Sequence, residues 1–127
     1  QFFCEKIKLY SSRLASNKDE NPVVFQIKEY LHQNYAVPSL SVPDISEHVR
    51  LSPTYVCTLF KNETGQTLNQ YLTDYRIKMS KQFLSDPLYK ITDISAKVGY
   101  SDGNYYSKAF RKIVGLSPSE YREKMLR

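Results

Sequence analysis

Very little in this chain could carry out chemistry on a substrate. Only two histidines and two cysteines occur in 127 residues, and tryptophan is absent. There is no HExxH pair, no Walker loop and no GxGxxG stretch. No nucleophile, base and orienting acid can be assembled from what remains, so an enzyme is not expected. Cys4 and Cys57 are far apart and lack metal-ligand spacing. Two free thiols in a reducing cytosol follow, with no metal and no cofactor. No apolar run approaches the ~20 residues of a membrane span, and no signal peptide is visible. A cytoplasmic location is expected, with a membrane segment upstream of Gln1 left open. Because the first residue is Gln and not Met, the chain is expected to be a piece of a longer protein. Asn62-Glu63-Thr64 fits a glycosylation acceptor, a coincidence in a cytosolic chain.

What is present points to a packed domain with a basic end. Aromatics make up 13% of the residues, 11 of them Tyr, whereas disordered segments are poor in aromatics. The length suits one domain with a real core. Net charge is +5. Lys plus Arg against Asp plus Glu stands at 5 against 4 in residues 1–41, 5 against 5 in 42–87 and 8 against 4 in 88–127. The excess after residue 87 suits a polyanion such as DNA, whose phosphates supply most sequence-independent affinity.

The stretch from Asp93 to Tyr121 organises the rest. It reads as a short helix, a tight turn with Gly99, and a second helix opened by Ser101 and closed by Gly115. Ser117, Pro118 and Glu120 form a capping box that opens a third helix. Two helices joined by a short Gly-containing turn make a helix-turn-helix. The pattern occurs twice. Asp44-Ile45-Ser46…Val49 matches Asp93-Ile94-Ser95…Val98, with Ser52-Pro53 standing where Ser101-Asp102 stands. After a one-residue insertion, Tyr55, Phe60, Lys61, Gly65 and Tyr71 fall opposite Tyr105, Phe110, Arg111, Gly115 and Tyr121. Two such units are too few for a solenoid. The expected fold is all-α, two helix-turn-helix subdomains joined by a long linker helix.

The run Gly99-Tyr100-Ser101-Asp102…Tyr105-Tyr106-Ser107-Lys108…Phe110-Arg111-Lys112…Gly115-Leu116-Ser117-Pro118-Ser119-Glu120-Tyr121-Arg122 resembles the C-terminal signature of the AraC/XylS family of bacterial transcription regulators. The resemblance extends over roughly residues 23–127. It implies two helix-turn-helix units that enter adjacent major-groove segments of double-stranded promoter DNA, and RNA polymerase as a further partner. It also implies an upstream sensory or receiver domain, as in a YesN-type response regulator or a membrane-anchored relative.

Read in order, residues 1–20 carry Phe3, Ile7, Tyr10 and Leu14 at three- and four-residue spacing. They read as the end of a connecting helix, or of a dimerising one that would make a homodimer, with docking on the main body as the alternative. The DNA-binding domain is expected over 21–127: a first unit at about 22–66, the linker at about 67–85 and a second unit at about 88–127. Asn21, Ser41 and Ser52 are the expected caps in the first unit. Across ~18 linker residues, or ~27 Å, the apolar positions drift from Leu68, Tyr71, Leu72 and Tyr75 to Ile77, Met79, Phe83 and Leu84. Such drift suits a helix packed on one subdomain near its start and on another near its end. In the second unit Tyr106, Ala109, Phe110 and Ile113 are expected to face inward, and Arg122, Lys124 and Arg127 to form a basic end.

A recognition helix enters the major groove N-terminus first, so its first two turns reach base edges. Asn pairs bidentately with adenine and Lys reads guanine, which makes Asn104 and Lys108 the leading base readers, with Ser107 beside them. Thr54, Cys57 and Thr58 hold the equivalent places in the first unit, where comparable positions in the family meet bases. Lys61, Arg111 and Lys112 are placed for phosphates, with Ser52 and Ser101 at the helix openings. A rival basic face made of Arg50, Lys78 and Lys81 would shift the grip to the first unit. The alternative function is a helical protein–protein module that contacts a partner domain or RNA polymerase.

Overall fold

A computed structural model describes residues 20–126, so nearly all of the expected connector at 1–20, with Cys4, lies outside the described residues. Seven helices and no strand occur among them. Side chains close to the start of most helices set where each begins. Asn21 accepts the Val23 N–H at 2.8 Å, and Pro22 follows to open α1 (Pro22–Asn34). At the head of α2 (Val42–Val49), Asp44 reaches back to the Ser41 N–H at 3.0 Å. Ser52 accepts the Tyr55 N–H at 3.2 Å and opens α3 (Pro53–Thr64). Thr67 and Gln70 exchange bonds across the first turn of α4 (Leu68–Leu84). No side chain caps α5 (Ile91–Lys97). Asp102 accepts the Asn104 N–H at 2.8 Å and opens α6 (Gly103–Val114). Ser117 and Glu120 form the expected reciprocal box on α7 (Pro118–Met125). Gly65 and Gly115, at φ +81° and +91°, end α3 and α6 in the left-handed conformation that glycine adopts freely.

The helices gather round two cores. Val24, Ile27, Leu31, Ile45, Val56 and Phe60 are buried with Leu68 and Leu72 from the start of α4. Ile94, Val98, Tyr106 and Phe110 are buried with Ile77 and Leu84 from its end. The drift along the linker is therefore real: α4 serves one lobe with its first two turns and the other with its last two. Phe60 and Phe110 are both fully buried, one per core. Tyr35, just past the end of α1, packs against both cores.

The helix-turn-helix turns differ by one residue. Buried Ser46 donates to Leu51 O at 2.6 Å, and Ser95 stands in the same relation to Tyr100 O at 3.5 Å. Leu51 N–H and Tyr100 N–H return bonds to the Ser46 and Ser95 carbonyls. Leu51 thus corresponds to Tyr100, and Ser101 is the inserted residue. This corrects the expectation that Ser101 opens the second helix. Asp102 does so, because its carboxylate reaches the Asn104 N–H from one position further on. Ile113 is a second correction. It is 42% exposed, because it looks into the cleft between the lobes and not into a core. Of the expected basic end, Arg122 also donates to Leu84 O at 3.0 Å and Asp86 O at 3.1 Å, closing the end of α4, while Arg127 lies outside the described residues.

Candidate nucleic-acid interface

Helices α3 and α6 are built alike. One face of each is buried through Val56 and Phe60, or through Tyr106 and Phe110. The opposite face repeats at three and four residues, as the 3.6-residue turn requires. Thr54, Cys57, Thr58 and Lys61 are exposed on α3, and Asn104, Ser107, Lys108 and Arg111 on α6. Every base reader expected from the sequence is thus brought to a solvent-facing surface. Among the described residues, no side-chain hydrogen bond engages Thr54, Cys57, Thr58, Asn104, Ser107 or Lys108. The buried Ser46 and Ser95 turns and the caps fix the start of each helix, so these side chains stand on rigid backbone.

The phosphate candidates are more varied. Ser52 is occupied in capping α3, while Ser101 is exposed in the longer second turn. Lys61 reaches Gly65 O at 3.3 Å across the end of its own helix. Arg111 has the exposed Glu120 carboxylate 3.7 Å away. Bonds from the Ser117 backbone and hydroxyl hold Glu120 below its ordinary range, so a negative charge stays beside Arg111. In the first lobe the matching residue is the neutral Gln70. Lys112 lies apart from the others, in a cleft of about 600 Å³ between the lobes that Gln66, Gln70, Thr73, Asp74 and Ile113 also line. Lys81, expected as part of a rival basic face, lies 5.8 Å from the Tyr121 ring centroid on the second lobe. Among the described residues there is no cluster of His, Cys, Asp or Glu that could hold a metal ion. No described helix is long and apolar enough to cross a membrane.

With two such faces on one bridged helical body, comparison with known proteins becomes decisive. A family model described as a helix-turn-helix domain, of the AraC type, matches residues 45–124. The chain belongs to that family. Among curated relatives, the Msm operon regulatory protein of Streptococcus mutans is 36% identical over 110 residues, covering 87% of this chain and 39% of that protein. The transcriptional regulatory protein HptR of Staphylococcus aureus is 38% identical over 98 residues, covering 77% of this chain and 38% of its own length. The chain spans roughly two fifths of the length of these relatives. Among solved structures, the C-terminal domain of AraT, a response regulator from Geobacillus stearothermophilus, superposes with a TM-score of 0.79 at 29% identity. That match covers 82% of this chain and 86% of the other. An AraC-type DNA-binding domain, and not an enzyme, is what this sequence folds into.

Two features of the AraC-type surface lay outside the sequence reading of the site. Tyr55 and Tyr105, matched in the repeat, are 52% and 67% exposed in the first turn of α3 and α6. Their pairing was visible in the sequence, but tyrosine in a Tyr-rich chain reads first as core. Asp102 places a carboxylate at the tip of α6 where Ser52 is neutral on α3. Only the placement of the insertion in the turn could have shown that.

Proposed function

We propose that this domain reads promoter DNA by setting α3 and α6 into adjacent major-groove segments. Thr54, Cys57 and Thr58 meet bases from the first lobe, and Asn104, Ser107 and Lys108 from the second. Ser52, Lys61, Ser101, Arg111 and Lys112 take phosphates, which fix register without reading sequence. The observation that carries this reading is the pair of matched, exposed polar faces on two helices tied to one linker. The 17 residues of α4, at 1.5 Å each, extend about 26 Å, a scale compatible with two helices placed about one DNA turn apart.

The complete protein is a cytoplasmic transcription regulator of an operon. It carries a sensory or receiver domain ahead of this one, contacts RNA polymerase and forms homodimers through residues 1–20. The relatives support this reading, since the two curated proteins are named as regulators and the matching structure is the end of a response regulator. Selection from random duplexes followed by footprinting tests the DNA reading. Two protected major-groove segments about one turn (~34 Å) apart are expected, with affinity falling steeply as salt is added. A single protected segment contradicts the two-helix reading, and no protection, or binding indifferent to salt, favours a protein–protein module.

A further inference from the structure

The linker helix changes lobes at one residue, Arg76, which touches both of them. Arg76 is 9% exposed. Its Nε donates to Tyr35 O at 2.8 Å and its Nη2 to Val37 O at 2.9 Å, both just beyond the end of α1. The guanidinium carbon lies 5.5 Å from the centroid of the Tyr100 ring, which belongs to the turn of the second helix-turn-helix. The neighbour of Tyr100, Gly99, is pressed against the same group. A Cβ built there would lie 2.7 Å from Arg76 Nε and closer still to Tyr35 O. Tyr35 itself packs against both cores and meets Tyr75 edge to face at 5.2 Å. One guanidinium therefore joins the end of the first lobe's scaffold helix, the midpoint of the linker and the turn that aims the second recognition helix.

We propose that this joint, Arg76 with Tyr35, Val37, Gly99 and Tyr100, fixes the offset between α3 and α6 and so sets the single half-site spacing that the domain accepts. The inference rests on the proposed function, because spacing has meaning only if both helices enter DNA. Arg76 acts as a positioning residue. It reads no base, yet its planar fork ties two carbonyls while its charge lies over a ring. Lysine, a point charge on a flexible stem, cannot do the same. Inserting one base pair between half-sites moves the second by ~3.4 Å and rotates it by about a tenth of a turn. A locked joint tolerates that badly, and a loosened one tolerates it better.

The test uses the duplex selected by the 127-residue chain, together with versions carrying one base pair inserted or removed between the two protected segments. For the unsubstituted chain, affinity is expected to fall at least about tenfold with either change, since displacing one lobe forfeits its base contacts. For Arg76→Lys, and independently for Gly99→Ala from the other side of the joint, the fall is expected to shrink to about threefold or less. Because each ratio is taken within one variant, any unfolded fraction cancels. A duplex retaining a single segment should bind the folded variants as it binds the parent. Spacing profiles of both variants parallel to the parent's would overturn the proposal, as would a parent chain indifferent to spacing. If Thr58→Ala and Lys108→Ala also leave binding unchanged, the two-helix reading has failed. If those two weaken binding while the spacing profiles stay parallel, only the joint has failed.

Discussion

Each lobe closes the end of its first helix with an arginine from further along the chain, and the two arginines differ in what else they touch. Arg76 caps the carbonyls of Tyr35 and Val37, and Arg122 caps those of Leu84 and Asp86. The capped positions correspond at the repeat offset of the first helices. Arg122 stays partly exposed and serves its own lobe. Arg76 is buried beneath Tyr100, where burial pulls its ionisation down from the ordinary value. A repeated local device has thus become, in one copy only, the contact between copies. Duplication supplies matched cores and caps, while the departures from symmetry carry the geometry.

The largest expected effect tests the symmetric part. Phe60→Ala and Phe110→Ala should each cost ~3–5 kcal/mol, out of a total of ~5–15 kcal/mol. Urea denaturation giving one large and one negligible loss would show that the cores are not equivalent. Glycine substitutions come next and probe the asymmetry. Gly99→Ala forces a side chain into the left-handed region, at φ +98°, and into the Arg76 joint, for an expected loss of about 2–4 kcal/mol. Gly115→Ala meets nothing within 4 Å and should lose only about 1 kcal/mol from its backbone conformation. Equal losses would deny the close approach at Gly99.

Smaller differences lie in the turns. Ser46→Ala removes a 2.6 Å bond and should cost about 1 kcal/mol, whereas Ser95→Ala, at 3.5 Å, should cost about half that or less. Thermal melts reversing that order would mean that the longer second turn is the tighter one. Smallest is a pH effect. Burial raises the phenols of Tyr71 in the first lobe and Tyr106 in the second from 10 to about 12. The folded state holds these protons longer than the unfolded chain does. Their contribution is therefore complete below pH 10 and lost as pH rises towards 12. Tyr106→Phe should flatten part of that decline in denaturation curves taken across the window, and an unchanged slope would place the titration elsewhere.

Much of this was readable from the chain because the relevant bonds are local. Asn21, Ser52, Thr67 and Ser117 each bond to a backbone group two or three residues on, a span that sequence spacing reports directly. The buried faces of α3 and α6 follow from period alone. Arg76 and Arg122 escaped because their partners are 36–41 residues away and nothing in the local pattern distinguishes them from solvated linker charges. Ile113 misled for the reverse reason: period places it beside Phe110, and only the angle between the lobes decides whether that side meets a core or a cleft. Ser101 misled because a one-residue insertion can be placed on either side of the turn. At the interface, the exposed faces of α3 and α6 were legible. The neutralising neighbour of Arg111 was not.

The contrast that matters most on DNA is between the short side chains of α3 and the Asn104, Lys108 and Arg111 face of α6, and salt titration of three variants tests it most directly. Affinities of Thr58→Ala, Lys108→Ala and Arg111→Ala for the selected duplex are measured at several salt concentrations. Lys108→Ala should lose ~1–3 kcal/mol and relax preference at one base pair. Arg111→Ala should weaken all sequences alike and reduce the salt slope by ~1, with the effect moderated by Glu120 beside it. Thr58→Ala should lose less than either. A larger loss for Thr58→Ala than for both basic variants would contradict the expectation, from the basic excess after residue 87, that the second lobe supplies more of the affinity.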